Sequence, residues 1–257
     1  MTSSETTRIL LGLLLGVTAA GANVLGGSLI AHGQWSRRYL KYFIALGAGF
    51  MLATALLEMI PESLKLRGDH ESFFFRDTSS VFLLVLAGYF LVHFFEHTVA
   101  HHFHFGEETH AAEMHVRHAS LSALTGLGIH TFFDGVAIAS AFLVSQWLGM
   151  VIFLAIVLHK LPEGFTVSSL LLAGGGSRKT AMLGAVLLGA ATVAGVLLTA
   201  ALRNALVYTL PLSAGVTLYV AASDLIPEVN REHQMGNALL VFLGVALMFI
   251  LQKLFKF

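Results

Sequence analysis

Eight long apolar stretches, covering roughly 9–30, 40–61, 80–101, 119–142, 147–172, 180–201, 205–227 and 235–255, dominate this sequence and sharply limit what it can fold into. A helix needs about 20 mostly apolar residues to cross the hydrocarbon core of a bilayer. Backbone groups in lipid must be satisfied within each segment, and no stretch alternates like a barrel strand, so the spans are expected to be helices. With 257 residues, 56% hydrophobic and 12% charged, and a mean hydropathy of +0.78, the chain has little room for a soluble domain. The expectation is one all-α, multi-pass domain over 1–257 in a cell membrane (inner or plasma), surrounded by lipid bilayer.

Arg8, the apolar run after it and Ala20-Gly21-Ala22 resemble a secretory signal. The run continues to Ile30, long enough to span, and Glu5 precedes it, so a first span is preferred. Formal net charge is zero and no basic stripe is present, which argues against nucleic acid as a partner. Cysteine is absent, so a metal site would use His, carboxylate, Met or backbone oxygen.

An even number of spans puts both termini on one side. The positive-inside rule hardly chooses between the sides. Arg37, Arg38, Lys41, Arg117, Arg178, Lys179 and Arg231 fall on one, and Arg8, Lys65, Arg67, Arg76, Arg203, Lys253 and Lys256 on the other. The first hairpin favours termini outside.

The second span ends in Glu58-Met59-Ile60-Pro61-Glu62 and the seventh in Asp224-Leu225-Ile226-Pro227-Glu228. These spans cross in opposite directions, so the repeated order suggests an inverted repeat. Eight helices then read as three plus two plus three, spans 1–3 and 6–8 flanking spans 4 and 5. Two acidic, Pro-terminated helix ends facing water would look the same.

Ionisable groups deep in a bilayer are costly and point to function. The fourth span carries His130 and Asp134, and the fifth His159, Lys160 and Glu163. Residues four apart share a helix face, so each helix offers an imidazole and a carboxylate in one direction. Two such faces together would supply nitrogen and oxygen ligands for a divalent first-row metal. Gly135 and Gly164 follow the carboxylates and would let a neighbouring helix approach. Pro162 cannot donate to the Leu158 carbonyl, which predicts a kink and a free oxygen there.

His130-Thr131-Phe132-Phe133-Asp134-Gly135 with Val136-Ala137-Ile138, and His159-Lys160-Leu161-Pro162-Glu163-Gly164, resemble the paired signatures of the ZIP family of metal transporters. Eight spans, the three-two-three arrangement and a His-rich loop between spans three and four are family features too. The resemblance implies zinc, iron or similar ions moving toward the cytoplasm, with both termini outside. Members with a two-metal centre usually have Asn after the first His and a carboxylate or amide after the second, where this chain has Thr131 and Lys160. Residues 180–201 also lack an acid that could complete such a centre. The expectation is therefore a single metal held by His130, Asp134, His159 and Glu163, with Lys160 in place of the second ion's charge; pairing with Glu163 or snorkelling are the simpler roles for that lysine.

Glu58 and Glu62 would lie at one mouth of a path, and Asp224 and Glu228 at the other. Met51 falls where the family places a soft residue along the path, although a core methionine serves as well. His93, His97 and His101 stand four apart at the end of span three, followed by His102, His104, His110, His115 and His118. Eight of the 13 histidines fall in this stretch, and the segment 102–118 reads as a cytoplasmic loop with accessory metal affinity. His32, His70 and His233 read as solvated.

The expected function is transport of a divalent metal, zinc first, with iron, manganese, cadmium or cobalt also suited to these ligands. No catalytic cofactor is expected, because the metal is the substrate. An intramembrane zinc hydrolase or a metal-exporting antiporter could use similar ligands. Gly-rich helix faces permit a homodimer.

Overall fold

In a computed structural model of the chain, eight helices are long and apolar enough to cross a membrane. The structure describes residues 3–31, 37–68, 77–98, 113–173, 175–202, 205–231 and 235–255. Span one is α1 (Ser3–Ala31). Span two is α2 (Arg37–Thr54), a π-helical turn (Ala55–Met59) and α3 (Ile60–Gly68). Spans three to six are α4 (Ser79–Thr98), α5 (Glu113–Val144), α6 (Gln146–Ala173) and α7 (Arg178–Ala201). Span seven is α8 (Leu206–Tyr219), a second π-helical turn (Val220–Leu225) and α9 (Ile226–Arg231), and span eight is α10 (Met235–Phe255).

The helices outrun their apolar stretches at several ends. Helix α5 begins at Glu113 rather than near 119, so His115 and His118 sit on a helix and not in the expected loop. Hydropathy marks where lipid could begin, whereas helix continues wherever good formers follow one another, and 113–125 holds neither Gly nor Pro.

Burial separates two sets of spans. Spans two, four, five and seven are 61–67% buried within the bundle, against 17–44% for spans one, three, six and eight. The outer helices expose Leu14, Phe82, Leu183 and Phe242, as a lipid-facing surface requires. Among the described residues, every buried carboxylate, histidine and lysine lies on the inner four: Glu58, His130, Asp134, His159, Lys160, Glu163 and Asp224.

Contacts recur in pairs. Helix α1 packs on α6 as α7 packs on α5, α2 on α10 as α8 on α4, and α2 on α6 as α8 on α5. The closest crossings use glycine reciprocally. A Cβ on Gly164 would overlap the Asn23 carbonyl, and one on Gly26 the Leu161 carbonyl; Gly135 and Thr192, with Gly195 and Phe132, repeat the arrangement between α5 and α7. The same pattern joins Gly49 to Val241 and Gly244 to Leu46, and again Gly88 to Leu212 and Gly215 to Val85. At these crossings the glycines serve helix packing inside one chain.

The α6–α7 turn is set by backbone chemistry. Gly175 has φ +80°, and the amides of Gly176 and Gly175 donate to the Leu171 and Leu172 carbonyls at 2.9 and 3.0 Å, closing α6 in a Schellman motif. Ser177 then caps α7 by accepting from the Thr180 amide at 3.2 Å. Ser177→Ala is expected to lower stability by about 1 kcal/mol, read as a lower thermal midpoint in detergent. At the other end of the bundle, Arg8 donates to the Leu143 and Val144 carbonyls, both at 3.1 Å, and ties the start of α1 to the turn between α5 and α6.

Candidate metal centre

Helices α5 and α6 meet along the faces that carry the two motifs. The ligand atoms of His130, Asp134, His159 and Glu163 all lie within 4.8 Å of one another, and all four side chains are buried. This is the only such group of His, Asp and Glu among the described residues. Its depth follows from the glycines: Gly135 and Gly164 let α7 and α1 press on the outer sides of the two motifs.

Asp134 Oδ2 is the hub. It lies 3.2 Å from His130 Nε2 and 3.3 Å from His159 Nε2, and the imidazole centroids are 5.5 Å apart. His159 Nδ1 is 3.1 Å from the Ala155 carbonyl. A carbonyl only accepts, so Nδ1 carries a proton; Nε2 faces Asp134 Oδ2, with a lone pair in the neutral ring and as a donor in the imidazolium. With the ring neutral, nitrogen and carboxylate oxygen are two acceptors side by side, the donor pair that a divalent cation takes. The Nδ1 contact also fixes ring tautomer and orientation in the way that metal-ligating histidines are commonly held.

Neither ring nitrogen of His130 makes a hydrogen bond, and Asp134 Oδ1 makes none either, although all are buried. Orphaned polar atoms cost free energy in a protein interior, more so inside a bilayer. Helix geometry brings the four side chains together, and the bundle leaves part of their coordinating capacity unused.

Lys160 is fully buried and bridges the two carboxylates. Its Nζ lies 2.7 Å from Asp134 Oδ2 and 2.7 Å from Glu163 Oε2, and it donates to Thr131 Oγ1 at 3.1 Å. The Thr131 hydroxyl in turn donates to Glu163 Oε1. The lysine therefore neither snorkels nor pairs with Glu163 alone. It spans both helices because α5 and α6 hold Asp134 and Glu163 within reach of one ammonium.

The remaining acidic candidates among the described residues are not members of this group. Glu58 is buried in the π-helical turn of span two and Asp224 in that of span seven. A π turn adds a residue to one turn and redirects its side chains, and such turns favour functional sites. Glu62 is partly buried and pairs with the exposed Lys65 at 2.7 Å, and Glu228 is partly buried on α9. Met51 is fully buried in the core with Phe50, Tyr219 and Leu225. Helix α6 runs on through Pro162.

Of the third-span histidines, His93 packs edge-on against Tyr219, ring centroids 5.9 Å apart. His101, His102, His104 and His110 lie outside the described residues, as do the side chains of His97, His115 and His118 and the whole of His32, His70 and His233. Beside Asp224 is a polar contact that the sequence reading did not single out: Tyr219 donates to Glu96 Oε2 at 2.9 Å, while the Tyr89 and Ser223 hydroxyls meet at 2.8 Å. The available signal was an acid three residues after His93, at the polar end of span three.

The sequence matches the ZIP Zinc transporter family over residues 6–123 and 106–252. It is 27% identical to Zinc transporter ZIP9 of Micropogonias undulatus over 263 residues, covering 84% of each chain. It is 30% identical to Zinc transporter foi of Drosophila melanogaster over 159 residues, 58% of this chain and 22% of that protein. With mouse (Mus musculus) Zinc transporter ZIP13 it shares 32% identity over 134 residues, 48% of this chain and 37% of the other. The chain thus spans well under half the length of foi and ZIP13. The family match nonetheless runs through both motifs that build the buried cluster and through nearly all the helices around it, and the chain belongs to the ZIP zinc transporter family.

Proposed function

We propose that this protein moves divalent transition-metal cations, zinc first, across a cell membrane toward the cytoplasm, one ion at a time, through the site formed by His130, Asp134, His159 and Glu163. The observation that carries this is the buried ligand set: His159 oriented through Nδ1 with Nε2 facing Asp134, a His130 ring without hydrogen bonds and a carboxylate hub, all midway along two inner spans. Borderline nitrogen and oxygen donors suit zinc and its first-row neighbours, and the zinc transporters among the relatives favour zinc. Lys160 and Thr131 fill the space beside this set, which supports one ion rather than two.

The paired helix contacts and reciprocal glycine crossings support a three-plus-two-plus-three arrangement with an inverted repeat. In that frame the two π-helical turns are copies of one device, and Glu58 with Glu62, and Asp224 with Glu228, serve the outer and inner mouths. Met51 lies on the outer part of the path. Both termini are extracytoplasmic, and the His-rich segment after span three meets arriving ions in the cytoplasm.

Uptake of labelled zinc into proteoliposomes of known orientation tests the reading. Zinc accumulating on the cytoplasmic side, with one ion per chain at the buried site, is the expected result. Two ions about 4 Å apart there, the separation typical of binuclear centres, would overturn the single-ion site, and absence of uptake would overturn transport.

A further inference from the structure

We propose that Lys160 is a tethered rival of the transported cation: its ammonium occupies carboxylate oxygens that the metal must use, and so sets how tightly the metal is held. The inference rests on the cluster being the metal site. It goes further in assigning what the lysine does there.

The geometry is that of competition. Nζ lies 2.7 Å from Asp134 Oδ2 and 2.7 Å from Glu163 Oε2. Those carboxylates are half of the ligand set, and Oδ2 is also the atom facing both imidazoles at 3.2 and 3.3 Å. An ion placed among the four ligands and the ammonium cannot both hold Oδ2 at full strength. Lys160 has no exposure through which to withdraw to water. It does have a neutral partner, Thr131 Oγ1 at 3.1 Å, whose own hydroxyl is fixed to Glu163 Oε1. When a metal takes Asp134 Oδ2, the ammonium can keep Thr131 and one oxygen of Glu163 without losing its proton.

Charge points the same way. With both imidazoles neutral, two carboxylates and one ammonium leave the metal-free cluster with a single negative charge, whereas two carboxylates alone would carry two and attract a divalent ion far more strongly at this depth. A transport site must release its ion as well as bind it. The lysine stabilises the empty site against the repulsion of its own carboxylates and weakens the loaded one, which favours turnover over retention.

The test uses the full chain in lipid nanodiscs, titrated with Zn2+ alone, and the same protein in proteoliposomes for KM and maximal rate. Lys160→Met is expected to bind Zn2+ at least about tenfold more tightly, and to show a lower KM together with a lower maximal rate because release slows. Lys160→Gln, uncharged yet able to hydrogen-bond, is expected to move the same way and serves if the methionine variant does not fold. An ion pair with only a structural role would reduce folded yield and leave affinity per folded molecule unchanged; unchanged or weaker affinity in a folded variant overturns the proposal. His130→Ala in the same titration separates the two levels. If it leaves wild-type affinity intact, the metal site itself is misassigned. If it weakens binding while neither lysine variant tightens it, only the competition is wrong.

Discussion

Zinc uptake is expected to fall by about a hundredfold or more when His130 or Glu163 is replaced by alanine. Loss of an outer-shell partner alone typically costs 10- to 100-fold in metal affinity or activity, and these residues are assigned as direct ligands. His130→Ala removes the ring whose nitrogens make no hydrogen bond, so its effect on the empty protein is that of lost volume more than of a broken network. Glu163→Ala is harsher. It strips a partner from both Lys160 and Thr131 and leaves the buried ammonium with Asp134 as its one carboxylate. The two variants should therefore both lose uptake yet differ in thermal stability, His130→Ala remaining closer to wild type. Unaltered uptake in both, measured at equal protein density in the vesicles, would remove the site.

The second large effect concerns residues that touch no metal. Gly135→Ala and Gly164→Ala each place a methyl group on a backbone carbonyl of the adjoining helix, that of Thr192 or of Asn23. A main-chain carbonyl within a helix cannot swing aside as a side chain can, so α7 or α1 must move bodily. The expected cost is about 3 kcal/mol, seen as a fall of about 10 °C in thermal midpoint. Gly128 on the same helix as Gly135 provides the control, because a Cβ there meets nothing within 4 Å. Gly128→Ala is expected to be neutral or slightly stabilising through helix propensity. Should the two motif glycines tolerate alanine as well as Gly128 does, close helix approach would not be what holds the site shut.

These predictions rest on features of unequal legibility. The spans are plain in the sequence because hydropathy over some twenty residues is a sum, insensitive to any one position. The pairing of His130 with Asp134 and of His159 with Glu163 is equally local, since four residues bring a helix back to the same face. The repeat of Glu58-to-Glu62 in Asp224-to-Glu228 could be seen as a string. That both copies sit at π-helical turns could not, because α and π turns draw on the same residues and differ only in which carbonyl each amide reaches.

Helix ends were less legible than helix centres. Glu113 to Ala119 are helical although rich in charged and polar residues, because capping and propensity, not hydropathy, decide where a helix stops. The glycines illustrate a further limit. Their spacing announced close packing, but each crossing needs a carbonyl three residues from a glycine on the partner helix, and the partner is chosen by the whole bundle.

Lys160 shows the division most clearly. By itself the sequence determined that an ammonium stands next to His159 and one turn from Glu163, because those are neighbours along one helix. Only the tertiary structure decided that this ammonium also reaches Asp134 and Thr131 on the facing helix. That depends on the separation of α5 and α6, set by side chains and glycine contacts far apart in the chain, and electrostatic energy varies steeply over those few ångströms.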